Sequence, residues 1–190
     1  RIGDELMFVE AAKMNHEALS RFSFQKMLTS CPHCFNSFKL EYIQYGLGTE
    51  VEHYTTTIDE LLRETEPNLK IDGGRAVTFH DPCYLGRWNE IYDAPRRIIE
   101  GIDGVTPKEM DRSREKGFCC GGGGGHMFYE IKEGERISKL RMDEALQTDA
   151  ETLLVACPYC NTMLRSEASD KIKVMDIAEL LDAAMNETDI

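Results

Sequence analysis

Apolar positions along this chain follow two alternating rhythms. Near the C-terminus Ile177, Leu180, Leu181 and Ala184 fall at i, i+3, i+4 and i+7, one stripe that predicts an amphipathic helix with Asp176 as its N-cap. A charged segment over 129–147, with Ile137, Leu140, Ala145 and Leu146 inward, predicts a second helix. A third spans roughly 4–20, with Val9, Ala12 and Leu19 on one side. The run Leu153-Leu154-Val155-Ala156 is too short for a helix and reads as a buried strand. The stretch from Arg75 to Phe79 reads as another, and Asp93-Ala-Pro95 opens a helix, since proline is tolerated in a first turn. Residues 64–74, with Pro67 and the Gly73-Gly74 pair, read as a linker. Helices alternating with short buried strands predict α/β layers around a mostly parallel sheet.

The pattern also repeats. Placing Cys157-Pro-Tyr-Cys160 over Cys31-Pro-His-Cys34, an offset of 126, sets Leu153 to Ala156 over Met27 to Ser30. Further on, Leu180 over Leu61 gives an offset of 119, so the first copy carries seven extra residues, expected at the Gly46-Leu47-Gly48 turn. Each copy reads as strand, CPxC turn, helix, short strand and amphipathic helix. The three cysteines ahead of the second CxxC, Cys83, Cys119 and Cys120, would have counterparts before residue 1. The expected organisation is one complete unit over 75–190, preceded over 1–68 by the back half of another. The opening Arg1 fits a chain that continues a longer protein.

Charge narrows the function classes. With 22 Lys and Arg against 34 Asp and Glu, the net charge of −12 suits neither a phosphate backbone nor any other polyanion, so nucleic-acid binding is not expected. No apolar run reaches the length of a membrane span and no signal peptide opens these residues. Seven cysteines, an odd number in a chain this long, do not read as a secreted disulfide scaffold. Vicinal and CxxC cysteines point instead to metal or redox chemistry in a reducing, cytoplasmic setting, with peripheral attachment at the inner face of a membrane as the alternative.

Cys83, Cys119, Cys120, Cys157 and Cys160 follow the spacing C, 35 residues, CC, 36 residues, CxxC. A CxxC turn aims two sulfurs at one centre. Adjacent cysteines in a strand would point apart, but the glycines from Gly121 to Gly125 let this pair sit in a turn. Cys83 follows a strand at the His80-Asp-Pro82 bend, where loop ligands are commonly placed. Zinc takes four ligands, so five thiols favour an iron–sulfur cluster over zinc. A bare CxxC dithiol or a vicinal disulfide would leave the other cysteines unexplained. Gly121, Gly122 and Gly123 lack the Gly-Lys-Ser/Thr ending of a P-loop and read better as cofactor-binding backbone N–H donors to sulfur. His80 and His126, beside ligand cysteines, are the candidate proton relays. Trp88 and Tyr92 read as core or interface, and Arg96-Arg97 as a solvated helix face or a counter-charge to thiolates.

His80-Asp-Pro-Cys83, Phe118-Cys-Cys-Gly-Gly-Gly123 and Cys157-Pro-Tyr-Cys160 together resemble the CCG cysteine-rich domain of the heterodisulfide reductase catalytic subunit and its relatives. Those relatives include iron–sulfur subunits of glycolate and lactate oxidation and quinone-linked partners of electron-transfer flavoprotein. The stretch from Cys83 to Arg96 is most similar to the flavoprotein–quinone branch. The resemblance implies tandem CCG-type α/β units, the first truncated, in an oxidoreductase whose partners are a flavoprotein or another iron–sulfur protein. It implies a 4Fe–4S-type cluster, non-cubane in the heterodisulfide reductase case, held by Cys83, Cys119, Cys120, Cys157 and Cys160. Cys31 and Cys34 match the last two ligands of a first unit, and are expected to form a separate, incomplete site. The alternatives are a zinc-stabilised interaction domain and a bare-cysteine thiol–disulfide oxidoreductase.

Overall fold

The computed structural model describes residues 3–46, 49–128, 136–186 and 188. Two parallel sheets organise it. The smaller pairs β1 (Met27–Thr29) with β2 (Val51–His53); the larger has the order β4 (Asp103–Pro107), β3 (Lys70–Phe79), β5 (Thr152–Val155), β6 (Lys173–Asp176). Parallel neighbours need crossovers, and helices supply them: α2 (Pro32–Asn36) and the turns after it join β1 to β2, α4 (Asp93–Glu100) joins β3 to β4, and α6 (Pro158–Arg165) joins β5 to β6, while α3 (Tyr54–Thr65) leads from β2 to the larger sheet. The expected α/β class with a mostly parallel sheet is therefore what forms.

Strand β5 shows why the larger sheet is covered on both sides. All four of its residues are buried; Leu154 points into a core with Phe79, Ile98 and Leu180, while Leu153 and Val155 point into a second with Met142, Met163 and Val174. Alternation along a strand divides the two cores, and α4 with α7 (Ile177–Asn186) cover one face while α5 (Ile137–Leu146) and α6 cover the other. The stripe Ile177, Leu180, Leu181, Ala184 is buried as expected. Asp176 accepts from the Ala178 N–H at 2.9 Å, and Glu179 accepts from the Asp176 N–H at 2.8 Å, a reciprocal cap at the start of α7. Helix α1 (Glu5–Leu19), capped by Asp4, buries Ala12.

Three sequence expectations need correction. Residues 70–74 are strand, not linker: β3 begins at Lys70, and the left-handed Gly73 and Gly74 mark a register shift between Lys70 and Arg75. Helix α5 turns Ser138, Arg141, Met142 and Ala145 inward, whereas Ile137 is exposed. A hydrophobicity pattern discounts a buried arginine, and this one is held by polar partners described below. Residues 129–135 of the proposed helix lie outside the described residues.

The third concerns the alignment of the halves. Both show strand, CPxC helix, parallel strand and helix, but Thr29 pairs with His53 and Val155 with Asp176. The offset thus drops from 126 only to 123, so three residues are extra rather than seven. The paths also differ, since α2 (Pro32–Asn36) runs into a π turn (Ser37–Glu41) and a 3-10 turn (Tyr42–Tyr45), where α6 is one continuous helix. Leu47 and Gly48, in the expected insertion, lie outside the described residues. Among the described residues no helix is long and apolar enough to cross a membrane.

Candidate metal centre

Strands β1, β3 and β5 each end just before a cysteine: Thr29 before Cys31, Phe79 before Cys83 and Val155 before Cys157. Carboxyl ends of parallel strands are where open α/β sheets place their sites. Cys31 and Cys157 are the N-cap residues of α2 and α6, each followed by a proline at the first helical position. The second cysteine of each motif then lies one helical turn on, on the same side.

The seven thiols form one connected series. Each thiol perturbs the next in the order Cys34, Cys31, Cys157, Cys160, Cys120, Cys119 and Cys83. Of the five cysteines of the 83–160 set, Cys120 and Cys160 lie within 4.8 Å of each other and of a His80 ring nitrogen. Cys31 and Cys34, expected to form a separate, incomplete site, lie at one end of this series, with Cys31 beside Cys157 of the other half. Tertiary packing brings them together. His33 lies between the rings of Tyr84 (4.2 Å) and Tyr159 (4.9 Å), with Nδ1 4.0 Å from the sulfurs of both Cys31 and Cys157. On the far side of this join, Tyr54 donates to Asp176 at 2.6 Å, and Arg97 pairs with Asp59 through two contacts of 2.6 and 2.9 Å. Cys157, Cys160, Cys120 and Cys31 are buried, while Cys34 is exposed and borders a cleft of about 260 Å³ shared with Tyr84, Gly122 and Phe128.

Crowding sets the acidity of these thiols. Neighbouring thiols, those of Cys157 and Cys34 about Cys31 and those of Cys120 and Cys83 about Cys119, pull both below the ordinary thiol range. Their partners move the other way: Cys120 is pushed up to about 11 by its contact with Cys119, and Cys34, Cys83 and Cys160 are raised as well, first by their thiol contacts and then by burial. For Cys157 the contact with Cys160 lowers the pKa, but Cys31 and burial outweigh it and leave the thiol at about 12. So many sulfurs cannot all ionise in one buried volume without a cation among them.

The glycine loop fits its expected use in part. The Gly121 N–H donates to Cys119 at 3.3 Å, and the Gly122 N–H supports Cys120. Gly121 has φ +86°, and a Cβ there would lie 3.2 Å from Ile137 Cβ and the Ser138 nitrogen, so only glycine suits both the turn and the packing. Gly123 makes no such contact with sulfur; its carbonyl accepts from His126 Nδ1 at 2.7 Å. His126 is exposed on that loop.

His80 lies at the other end of the scale, fully buried and held down to about pKa 3 by burial and by the Arg141 charge. Arg141 Nε donates to His80 Nδ1 at 3.0 Å, and its Nη1 donates to the Arg112 carbonyl at 2.9 Å and to Glu144 at 2.6 Å. Sequence reasoning missed Arg141; its one signal is the i, i+3 spacing to Glu144. It also misplaced Arg96, which is buried rather than solvated. Arg96 spans Asp81 (2.8 and 3.0 Å) and Glu109 (2.5 and 2.9 Å), and Asp81 also accepts from the Arg114 N–H at 2.7 Å. This network anchors the loop that carries Cys83. Trp88 is exposed and stacks on Tyr84 at 5.8 Å, whereas Tyr92 packs against Gly86.

Fold and site together define a doubly wound parallel α/β unit with thiols gathered at the carboxyl edge of its sheet. Residues 77–165 match the family described as CCG, cysteine-rich domain, and over that span the chain belongs to this family. It is 42% identical, over 95% of its length, to the probable iron-sulfur-binding oxidoreductase FadF of Bacillus subtilis (strain 168). It is 36% identical over 97% to the EtfAB:quinone oxidoreductase of Syntrophomonas wolfei subsp. wolfei. Over 93% it is 35% identical to one subunit of the dihydromethanophenazine:CoB--CoM heterodisulfide reductase of Methanosarcina barkeri (strain Fusaro). The chain spans 26%, 28% and 44% of those proteins.

Proposed function

We propose that this chain is the iron–sulfur-holding portion of an oxidoreductase and that it passes electrons between a partner subunit and an acceptor. The observation that carries the reading is the single thiol assembly. Cys83, Cys119, Cys120, Cys157 and Cys160 would hold a 4Fe–4S-type cluster, with Cys31 and Cys34 joined to the same assembly through Cys157. The residues present fit such a group: seven sulfurs without a carboxylate among them are soft ligands, and the Gly121 and Gly122 N–H groups already point at sulfur. When bound, the cluster supplies a reversible one-electron couple. The chain's own residues bury it on the sheet side and leave the Cys34 side open to a partner or substrate.

Zinc is the second reading and fits less well. Four-coordinate zinc would leave three of the seven thiols unused, and the buried His80 beside Cys120 and Cys160 has Nδ1 occupied by Arg141.

The names of the relatives support a flavoprotein or iron–sulfur partner and a quinone or disulfide acceptor. The net charge of −12 suits docking on a basic face, with an on-rate that falls as salt rises. Seven free thiols suit a cytoplasmic location, in contact with the inner face of the membrane where the acceptor is a quinone. Anaerobic purification with iron and sulfide quantitation and EPR tests the proposal. Iron with stoichiometric sulfide and a reducible EPR signal is expected; one zinc without iron or sulfide overturns it.

A further inference from the structure

His80 has a role in this centre different from ligand or proton relay. A ring nitrogen of His80 and the sulfurs of Cys120 and Cys160 all lie within 4.8 Å of one another, and all three side chains are buried. Nδ1 of His80 is committed, since it faces the Nε–H of Arg141 at 3.0 Å. An arginine can only donate there, so Nδ1 must present its lone pair and the ring proton must sit on Nε2. Nε2 is buried and has no hydrogen-bond partner among the described residues. A buried N–H left without an acceptor is costly, and natural folds keep one where something else supplies the acceptor. A ring nitrogen of His80 lies within 4.8 Å of the Cys120 and Cys160 sulfurs, and with Nδ1 taken by Arg141, Nε2 is the nitrogen left to donate to them.

We infer that His80 is a fixed Nε2–H donor to the sulfur centre, locked in that tautomer by Arg141, and that the pair raises the reduction potential of the centre. This rests on the iron–sulfur reading above. A hydrogen bond to sulfur stabilises the more negative, reduced state, and the buried guanidinium behind the ring adds its charge in the same direction. The orientation also removes His80 from the ligand set, because coordination through Nε2 would require the proton on Nδ1, against the Arg141 N–H. His80 is thus a positioning and tuning residue. Arg141 is itself braced by Glu144, which Arg112 also contacts, so the device extends from the sheet edge across α5.

Pulsed EPR of the reduced protein, labelled with 15N-histidine and exchanged into D2O, tests this by comparing wild type with His80→Phe, since His33 also lies 4.0 Å from the Cys31 and Cys157 sulfurs and only the His80 coupling is lost in the variant. A weak nitrogen coupling with an exchangeable proton near the centre is expected. A strong coupling typical of a coordinated nitrogen, or no histidine coupling at all, overturns the inference. The second arm is a redox titration of His80→Phe and His80→Gln. With iron and sulfide retained, His80→Phe is expected to leave about tenfold less of the centre reduced at a fixed solution potential, a downward shift of about 59 mV for one electron. His80→Gln, which restores a donor, should recover part of the shift. An unchanged potential in His80→Phe refutes the tuning role. If the wild type instead holds zinc, the iron–sulfur reading falls. In that diamagnetic protein, 15N–1H spectra of His80 still decide the tautomer, and a proton on Nδ1 overturns the lock.

Discussion

Replacing Asp81 by alanine should cost the protein about 3–5 kcal/mol of stability, because it strands part of a buried guanidinium. Asp81 and Arg96 side chains are 4% and 7% exposed. Asp81 accepts three hydrogen bonds, from Arg96 Nη1 and Nη2 and from the Arg114 N–H. Its removal leaves Arg96 with Glu109 and the Tyr92 carbonyl, and two of its N–H groups lose their acceptor. At about 1.5–3 kcal/mol for each bond to a charged group, the three together would come to about 4.5–9 kcal/mol, near or above the top of the stated range. Glu109 is 49% exposed, however, so water reaches that end of the guanidinium and moderates the penalty. Arg97→Ala is the control: Arg97 is 46% exposed, and its partner Asp59 keeps Arg63 at 3.5 Å, so about 1 kcal/mol or less is expected. Urea and thermal unfolding, with the cofactor content of each protein matched, measure both. At about 2–4 °C per kcal/mol for a chain of this size, Asp81→Ala should melt roughly 6–20 °C lower. Alkylation of Cys83 should also become faster in Asp81→Ala and not in Arg97→Ala, since Asp81 anchors the Cys83 loop. A loss below about 1 kcal/mol, or one equal to that of Arg97→Ala, would refute the claim that this ion pair holds the loop.

Other expectations follow from the site. Cys31→Ser should alter the EPR signal of the centre and Cys34→Ser should alter it less, because Cys31 lies beside Cys157 and Cys34 is exposed; an unchanged spectrum in Cys31→Ser would support two separate sites. Gly121→Ala should cost about 1–2 kcal/mol from its left-handed backbone alone and should lower iron content, and wild-type values for both would contradict the packing described. Burial holds His53 at about pKa 4, below its ordinary 6.5. As pH falls through 6.5 the unfolded chain takes up this proton and the folded chain does not. The stability contribution is therefore complete above 6.5 and declines between 6.5 and 4 by about 1.4 kcal/mol per unit. Unfolding midpoints at pH 7 and pH 5 should differ by less in His53→Gln than in the wild type, and equal differences would remove His53 as the cause.

Local chemistry was legible in the chain alone. Periodicity placed α7 and the inward stripe of Ile177, Leu180, Leu181 and Ala184, and a short apolar run placed β5, because burial of a helix face or a strand leaves a spacing in the chain. The CPxC turns, the vicinal pair before glycines and the count of cysteines could be read for a similar reason: a sulfur site recruits its ligands as short motifs with their own backbone requirements.

How those motifs meet was settled by packing. The pairing of His33 with Tyr84 and Tyr159, and of Tyr54 with Asp176, sets Cys31 beside the second half but acts between residues that are distant in sequence and carries no local signature. In sequence Arg96 reads as a solvated face or a counter-charge, and Arg141 is missed, for the same physical reason. A charged residue reads as surface until its partners are known, and theirs, Asp81, Glu109 and His80, come from other elements of the fold. A hydrogen bond or ion pair that offsets burial is a property of three-dimensional neighbours, so the residues that tune and brace this centre emerged only when the chain was folded.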